Sequence, residues 1–113
     1  MYNKNDMSVV AYKILSYVNH CIKNGSFIDK RILNFETLEI NEKYFYSILK
    51  ELQDKKYVDD IRFGEDFSFD NPYQCDYRKI RVTLDGFEYM ETNFEKTKRY
   101  LADIKDLHWY DKI

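Results

Sequence analysis

Met7, Val10, Ala11, Ile14, Leu15, Val18, Cys21 and Ile22 recur at three- and four-residue steps. That period belongs to one apolar face of a helix and predicts a first helix from about Asp6 to Asn24. Asn24-Gly25 supplies its stop, because glycine enters the left-handed conformation without steric cost. Asp29 stands where it could cap a short second helix, roughly Lys30 to Leu38, with Ile32, Leu33 and Leu38 inward. Asn41 caps a third, followed by Glu42 in the first turn, where a carboxylate suits the helix dipole. Phe45, Ile48, Leu49 and Leu52 form its inner stripe, expected to pack against Ile14, Val18, Ile80 and Val82. Lys43, Tyr46, Ser47, Lys50, Glu51 and Asp54 fall largely outside that stripe.

The period then changes from helical to alternating. Tyr57 to Phe63 is rich in β-branched and aromatic residues and predicts a strand. Phe67 and Phe69 alternate with Asp66, Ser68 and Asp70, extending that arm of a hairpin. Asn71-Pro72 marks the turn, since proline has no place in a central ladder. The return strand runs from about Tyr77 to Leu84, with Ile80, Val82 and Leu84 on one face. Thr83 or Asp85 then caps a last helical segment. From there Phe87, Met90, Phe94, Thr97, Leu101, Ile104 and His108 step 3-4-3-4-3-4, a heptad seam broken into two helices at Asn93.

This order predicts an α+β fold: a winged helix-turn-helix with a C-terminal helical extension, in one domain over residues 1–113. Its parts are a helical head (1–56), a wing hairpin (57–84) and C-terminal helices (85–113). A chain of 113 residues fits one domain. The 44% apolar share suffices for a core if the 11 Tyr and 8 Phe contribute to it. Two cysteines far apart, no basic-apolar leader and no long apolar run predict reduced thiols, a cytoplasmic protein and no membrane partner.

Charge bears on partners. The net charge of −2 leaves no global footprint for nucleic acid. The head carries nine basic and seven acidic residues, a small excess of the sign that suits DNA. A helix-turn-helix lays its second helix in the major groove, which makes Lys43, Tyr46, Ser47 and Lys50 the candidate DNA-reading residues. The wing has the opposite sign. Residues 57–83 hold four bases and six acids, with no base between Phe63 and Arg78. A minor-groove wing wants Arg or Lys at its tip, and acids near phosphate cost affinity. Phe67, Phe69, Tyr73 and Tyr77 either form an aromatic patch for a protein partner or fold back onto the core.

No catalytic constellation emerges. His20, Cys21, Cys75 and His108 lack the two-to-five-residue spacing of metal-ligand pairs, so no metal is expected. Asp59-Asp60 and Glu65-Asp66 read as solvated acids that protect a hairpin edge. Three glycines cannot build a phosphate loop. Neither an enzyme nor a cofactor is indicated.

Ile40-Asn41-Glu42-Lys43-Tyr44-Phe45, Leu49-Lys50-Glu51-Leu52 with Tyr57-Val58, and Ile80 through Met90 (IRVTLDGFEYM) carry a resemblance, as does Tyr100 through Asp106 with Trp109. Over residues from about 10 to 110 the chain resembles the YjcQ-like family of small bacterial and phage-associated winged-helix proteins. The resemblance implies the fold and a bacterial or prophage setting, and lends no catalytic residue or ligand. The expected function is a transcriptional-regulator-like protein on double-stranded DNA; the alternative is a protein-interaction module on the same scaffold that binds no DNA. The C-terminal helix is expected to pack against both its own core and its mate in a homodimer, with Leu101 and Ile104 as candidate contact residues.

Overall fold

α1 (Met7–Asn24) is buried almost all round, because every other helix packs on it. The computed structural model describes residues 2–113, apart from the side chain of Tyr73. Val10, Ile14, Leu15 and Val18 face inward as their spacing requires, and Val9, Tyr12, Lys13 and Tyr17 are buried as well. Met7 and Ile22, at the two ends, are half exposed. A helix buried on all sides sits at the centre of its domain, not on its surface. Its end is a Schellman closure: Gly25 adopts φ 65°, its N–H donates to Ile22, and Ser26 N–H donates to Cys21.

α2 (Glu42–Asp54) begins where Asn41 Oδ1 accepts the Tyr44 N–H at 2.8 Å. Phe45, Ile48, Leu49 and Leu52 are buried in one apolar cluster with Ile14, Val18 and Ile80, while Val82 is half-buried against it. The helix expected at Lys30–Leu38 is absent; residues 30–40 form turns instead. Asn34, Phe35 and Thr37 hold a helix weakly. The Asn34 and Thr37 side chains also bond the local backbone (Asn34 Oδ1 from Thr37 N–H, 2.9 Å; Thr37 Oγ1 to Asn34 O, 3.1 Å), offering it an alternative to the helical ladder. Leu33 and Leu38 nevertheless reach the core.

The hairpin is also more broken than its alternation suggests. The strand expected over Tyr57–Phe63 divides into β1 (Val58–Asp59) and β2 (Arg62–Phe63), and the return arm into β3 (Cys75–Asp76) and β4 (Arg81–Val82). β1 pairs with β4 (Val58 opposite Val82) and β2 with β3 (Phe63 opposite Cys75), both antiparallel. Asp60 breaks the outgoing arm by turning left-handed (φ 65°), a conformation aspartate tolerates. Ile61, stranded between the two ladders, bonds both backbone groups to the Gln53 amide: N–H to Oε1 and Nε2 to O, each 2.9 Å. One side chain of α2 thus substitutes for a strand and pins the break. Phe67 and Phe69 lie in turns, where Ser68 and Asn71 form an isolated bridge, and Pro72–Gln74 is a 3-10 turn.

α3 (Leu84–Asn93) is capped by Thr83, whose Oγ1 accepts the Gly86 N–H at 3.0 Å and donates to Lys56 O at 2.7 Å. α4 (Glu95–Asp103) follows after a break at Phe94, one residue beyond Asn93. The heptad seam is consumed inside the monomer. Met90, Phe94, Thr97 and Leu101 are buried, Ile104 is half-buried, and only Phe87 and His108 at its ends are exposed. Leu101 has no accessible surface, so it offers a second chain nothing. The C-terminal residues lock back onto α1: Trp109 Nε1 donates to Lys13 O at 3.1 Å, and Lys13 Nζ pairs with Asp106 at 2.8 Å. The class is α+β, and no helix of the described residues is long and apolar enough to cross a membrane.

Candidate interaction surface

The outer face of α2 contacts the chain's own hairpin, with the Lys43 and Lys50 side chains still 67% and 39% exposed. Lys43 pairs with Asp70 from the tip. Lys50 Nζ donates to Asp54 at 2.7 Å and lies 5.3 Å from the centroid of the Phe63 ring. Tyr46 is half-buried, with its ring edge-on to Phe45 (5.2 Å) and Tyr77 (6.4 Å). Burial raises the Tyr46 hydroxyl above its ordinary pKa, with Cys75 and Glu42 adding to the effect. Ser47 is half-buried on the same helix. The four candidate DNA-reading residues therefore share a helix, and three of them are engaged with the hairpin or the helix itself.

Tyr77 anchors that arrangement. Its ring is buried against Phe45 at 5.4 Å, its hydroxyl donates to Leu33 O at 2.7 Å, and Lys30 Nζ sits 4.9 Å over its face. Burial pushes its pKa well above the usual tyrosine range. Of the four tip aromatics singled out from sequence, Tyr77 therefore folds into the core. Phe67 is half-buried between Phe63 (4.7 Å) and Phe69 (5.6 Å), and Phe69 remains 41% exposed. The Tyr73 side chain lies outside the described residues. Glu65 and Asp66 are exposed beside this aromatic ladder. The tip is thus acidic and aromatic at once.

Five further hairpin charges pair among themselves. Arg81 bridges Asp59 and Asp60, each at 3.0 Å, and Arg78 holds Asp76 at 2.8 Å. The Arg78 side chain, with its own backbone N–H, keeps the Asp76 carboxyl far below the usual carboxylate range. These are exposed pairs, each worth little to stability. Cys21 and Cys75 are free and buried, and burial pushes the Cys75 thiol up to about 12. Among the described residues no group of three or more His, Cys, Asp and Glu is placed to hold a metal.

The profile of the family described as YjcQ protein matches residues 12–107, from within α1 to beyond α4. The chain belongs to the YjcQ family. No curated protein and no solved structure matches it. In this YjcQ-family chain the expected DNA-reading face of α2 and the hairpin tip form one composite surface. Two residues that build the surface were not singled out from the sequence. Gln53 fixes the break in the hairpin, and Asp70 ties the tip to Lys43. Asp70 carried only a weak signal as an acid at an expected tip, and Gln53 carried none.

Proposed function

We propose that this chain is a protein-interaction module on a winged-helix scaffold, presenting its hairpin tip to a partner with a basic, partly apolar surface. The observation that carries the reading is the acidic, aromatic hairpin tip lying against the outer face of α2. Lys43, Tyr46 and Lys50 each contact the hairpin through Asp70, Tyr77 and Phe63, so a major groove would compete with those contacts. At the tip itself Phe69 is 41% exposed, beside the exposed Glu65 and Asp66. Four acids and no base between Phe63 and Arg78 repel phosphate and attract lysine or arginine. An exposed aromatic ringed by polar groups is the usual anchor of a protein contact.

Double-stranded DNA is the competing reading, and one observation favours it. The Lys43–Asp70 pair is exposed on both sides, and exposed pairs exchange partners at a cost of about 1 kcal/mol or less. A mobility shift on random duplex over a salt series separates the two. The interaction module gives no salt-sensitive shift, and Lys43→Glu with Lys50→Glu changes nothing. A shift in low salt that the double variant abolishes replaces this reading with the regulator. Photo-crosslinking from a probe at position 69 in cells should yield a discrete adduct that Glu65→Lys with Asp66→Lys removes.

A further inference from the structure

Phe27 is 95% exposed, more than any other large apolar side chain among the described residues. Single apolar residues are ordinary on a protein surface, so exposure alone says little. This one stands on a loop fixed at both ends. At its start Ser26 N–H donates to Cys21 O at 2.9 Å, within the Gly25 closure of α1. At its end Asp29 N–H donates to the hydroxyl of the buried Tyr17 at 3.0 Å. The Asp29 carboxylate then accepts from the Arg31 backbone N–H (2.9 Å) and guanidinium (3.0 Å). Ile22, whose carbonyl accepts the Gly25 N–H in the same closure, is half exposed as well. A side chain on backbone that is already ordered gives up less freedom when a partner buries it.

The loop is also basic. Residues 22–31 hold Lys23, Lys30 and Arg31 against Asp29 alone. Arg31 is taken by Asp29, while Lys23 and Lys30 enter no ion pair among the described residues. The hairpin tip has the opposite sign. Glu65 and Asp66 are exposed there and enter no ion pair among the described residues, and the Phe63, Phe67 and Phe69 rings form a ladder beside them. One surface thus offers an aromatic ring with unpaired cations, the other aromatic rings with unpaired anions. They do not meet within one molecule, because a side chain as exposed as Phe27 touches almost nothing of its own chain.

We propose that the partner of the hairpin tip is a second copy of this chain. The Phe27 loop of one copy docks on the tip of another, with Phe27 against Phe67 and Phe69 and with Lys23 and Lys30 facing Glu65 and Asp66. This rests on the reading of the tip as an interaction surface and names its occupant: the loop is the basic, partly apolar surface that the tip requires. Aromatic rings pair edge-to-face, and opposed charges set the register and suppress the pairing of tip with tip or loop with loop. Because the two surfaces differ, the contact runs head-to-tail.

Sedimentation of the purified full chain over a concentration series tests this. Wild type should associate reversibly at about 100 µM in low salt, since one anchor and a few charges make a small and weak contact, and about 0.5 M salt should loosen it. Phe27→Ser should weaken association at least about tenfold, with the melting temperature unchanged because the side chain supports no packing. Glu65→Lys with Asp66→Lys should do the same. The decisive sample mixes these two variants. One keeps its tip and the other its loop, so the mixture should form pairs and nothing larger, although neither variant associates alone. A wild type that stays monomeric overturns the proposal, whether Phe27 then proves to bind anionic vesicles or a different protein. Association that Phe27→Ser leaves unchanged overturns it too, as does a mixture that stays monomeric. The wider reading of the tip is judged separately, by the adduct from position 69. An adduct joining two copies supports both readings. An adduct to a different protein, beside a monomeric purified chain, keeps the interaction module and removes self-association. No adduct, beside a monomeric chain, removes both.

Discussion

Gly86→Ala tests how the hairpin and α3 are joined, because two physical effects oppose each other there. Gly86 is the third residue of α3, and replacing glycine with alanine inside a helix ordinarily gains about 1 kcal/mol. A Cβ at this position, however, would meet the Tyr57 carbonyl oxygen at 1.9 Å, its carbon at 2.8 Å and its Cα at 3.1 Å. Restoring an ordinary carbon–oxygen contact of about 3.3 Å needs a displacement of about 1.4 Å. The obstacle is backbone, so no side chain can swing aside. The same carbonyl accepts the Thr83 N–H at 3.1 Å, and Thr83 Oγ1 both caps α3 and donates to Lys56 O. Moving α3 therefore strains a helix cap, a backbone bond and the closure of α2 together. Overpacking costs about 1–3 kcal/mol, a lost cap about 1 and a lost backbone bond about 1. Against the gain in propensity, the net is a destabilisation of about 3 kcal/mol. Urea unfolding followed by circular dichroism measures it, with Gly25→Ala as the control. Gly25 has open space around it but φ 65°, so it should lose only about 1–2 kcal/mol from the left-handed backbone. A Gly86→Ala protein as stable as wild type, or more stable, would refute the reasoning and show that α3 slides freely past Tyr57.

Three further outcomes follow from the core. Leu101→Asp should unfold the chain instead of splitting a dimer, since it buries a carboxylate at a site with no accessible surface; sedimentation and circular dichroism together distinguish a loose coil from a folded monomer. Burial alone would raise the Asp106 carboxyl, but Lys13 and Lys112 outweigh it and hold the group below the usual carboxylate range. Its depressed native value means the stabilisation is complete above the unfolded pKa near 4 and disappears as pH falls through the native value, so the gap in urea midpoint between wild type and Asp106→Asn should be full at pH 6 and close below about pH 4. A gap that persists in acid would assign the loss to packing. Cys75, with its thiol pushed up to about 12 by burial, should resist alkylation at pH 8 until urea unfolds the chain; rapid modification of the native protein would show that the hairpin opens.

Much of the architecture was legible because it rests on local rules. The three-and-four spacing of α1, the Asn41 cap with its Phe45–Leu52 stripe, the Thr83 cap and the Asn24-Gly25 stop each need only neighbours in sequence to operate. The stops inside the chain were harder to read. α2 closes with Lys56 left-handed, α4 with Lys105, the 30–40 turns with Glu39 and the strand break with Asp60, none of them glycine, so the strongest stop signal was missing. In each of the first three the same pair of bonds closes the turn, as when Tyr57 N–H donates to Leu52 and Lys56 N–H to Gln53. The core tolerates the strain because the residues that follow are drawn inward.

By itself, then, the sequence determined the class, the family, the central helix and the helical stripes, because periodicity and capping chemistry act over a few residues. Tertiary structure alone decided which way the ambiguous surfaces faced. The heptad seam was compatible with a second chain until α1 took its apolar side; Tyr77 was compatible with solvent until Leu33 O accepted its hydroxyl. Lys43 and Lys50 lay on the outer face of their helix, but Asp70 and Phe63, 27 and 13 positions downstream, returned to contact them. Long-range pairings such as these depend on how the packed elements close on one another, a property that no window of the sequence contains.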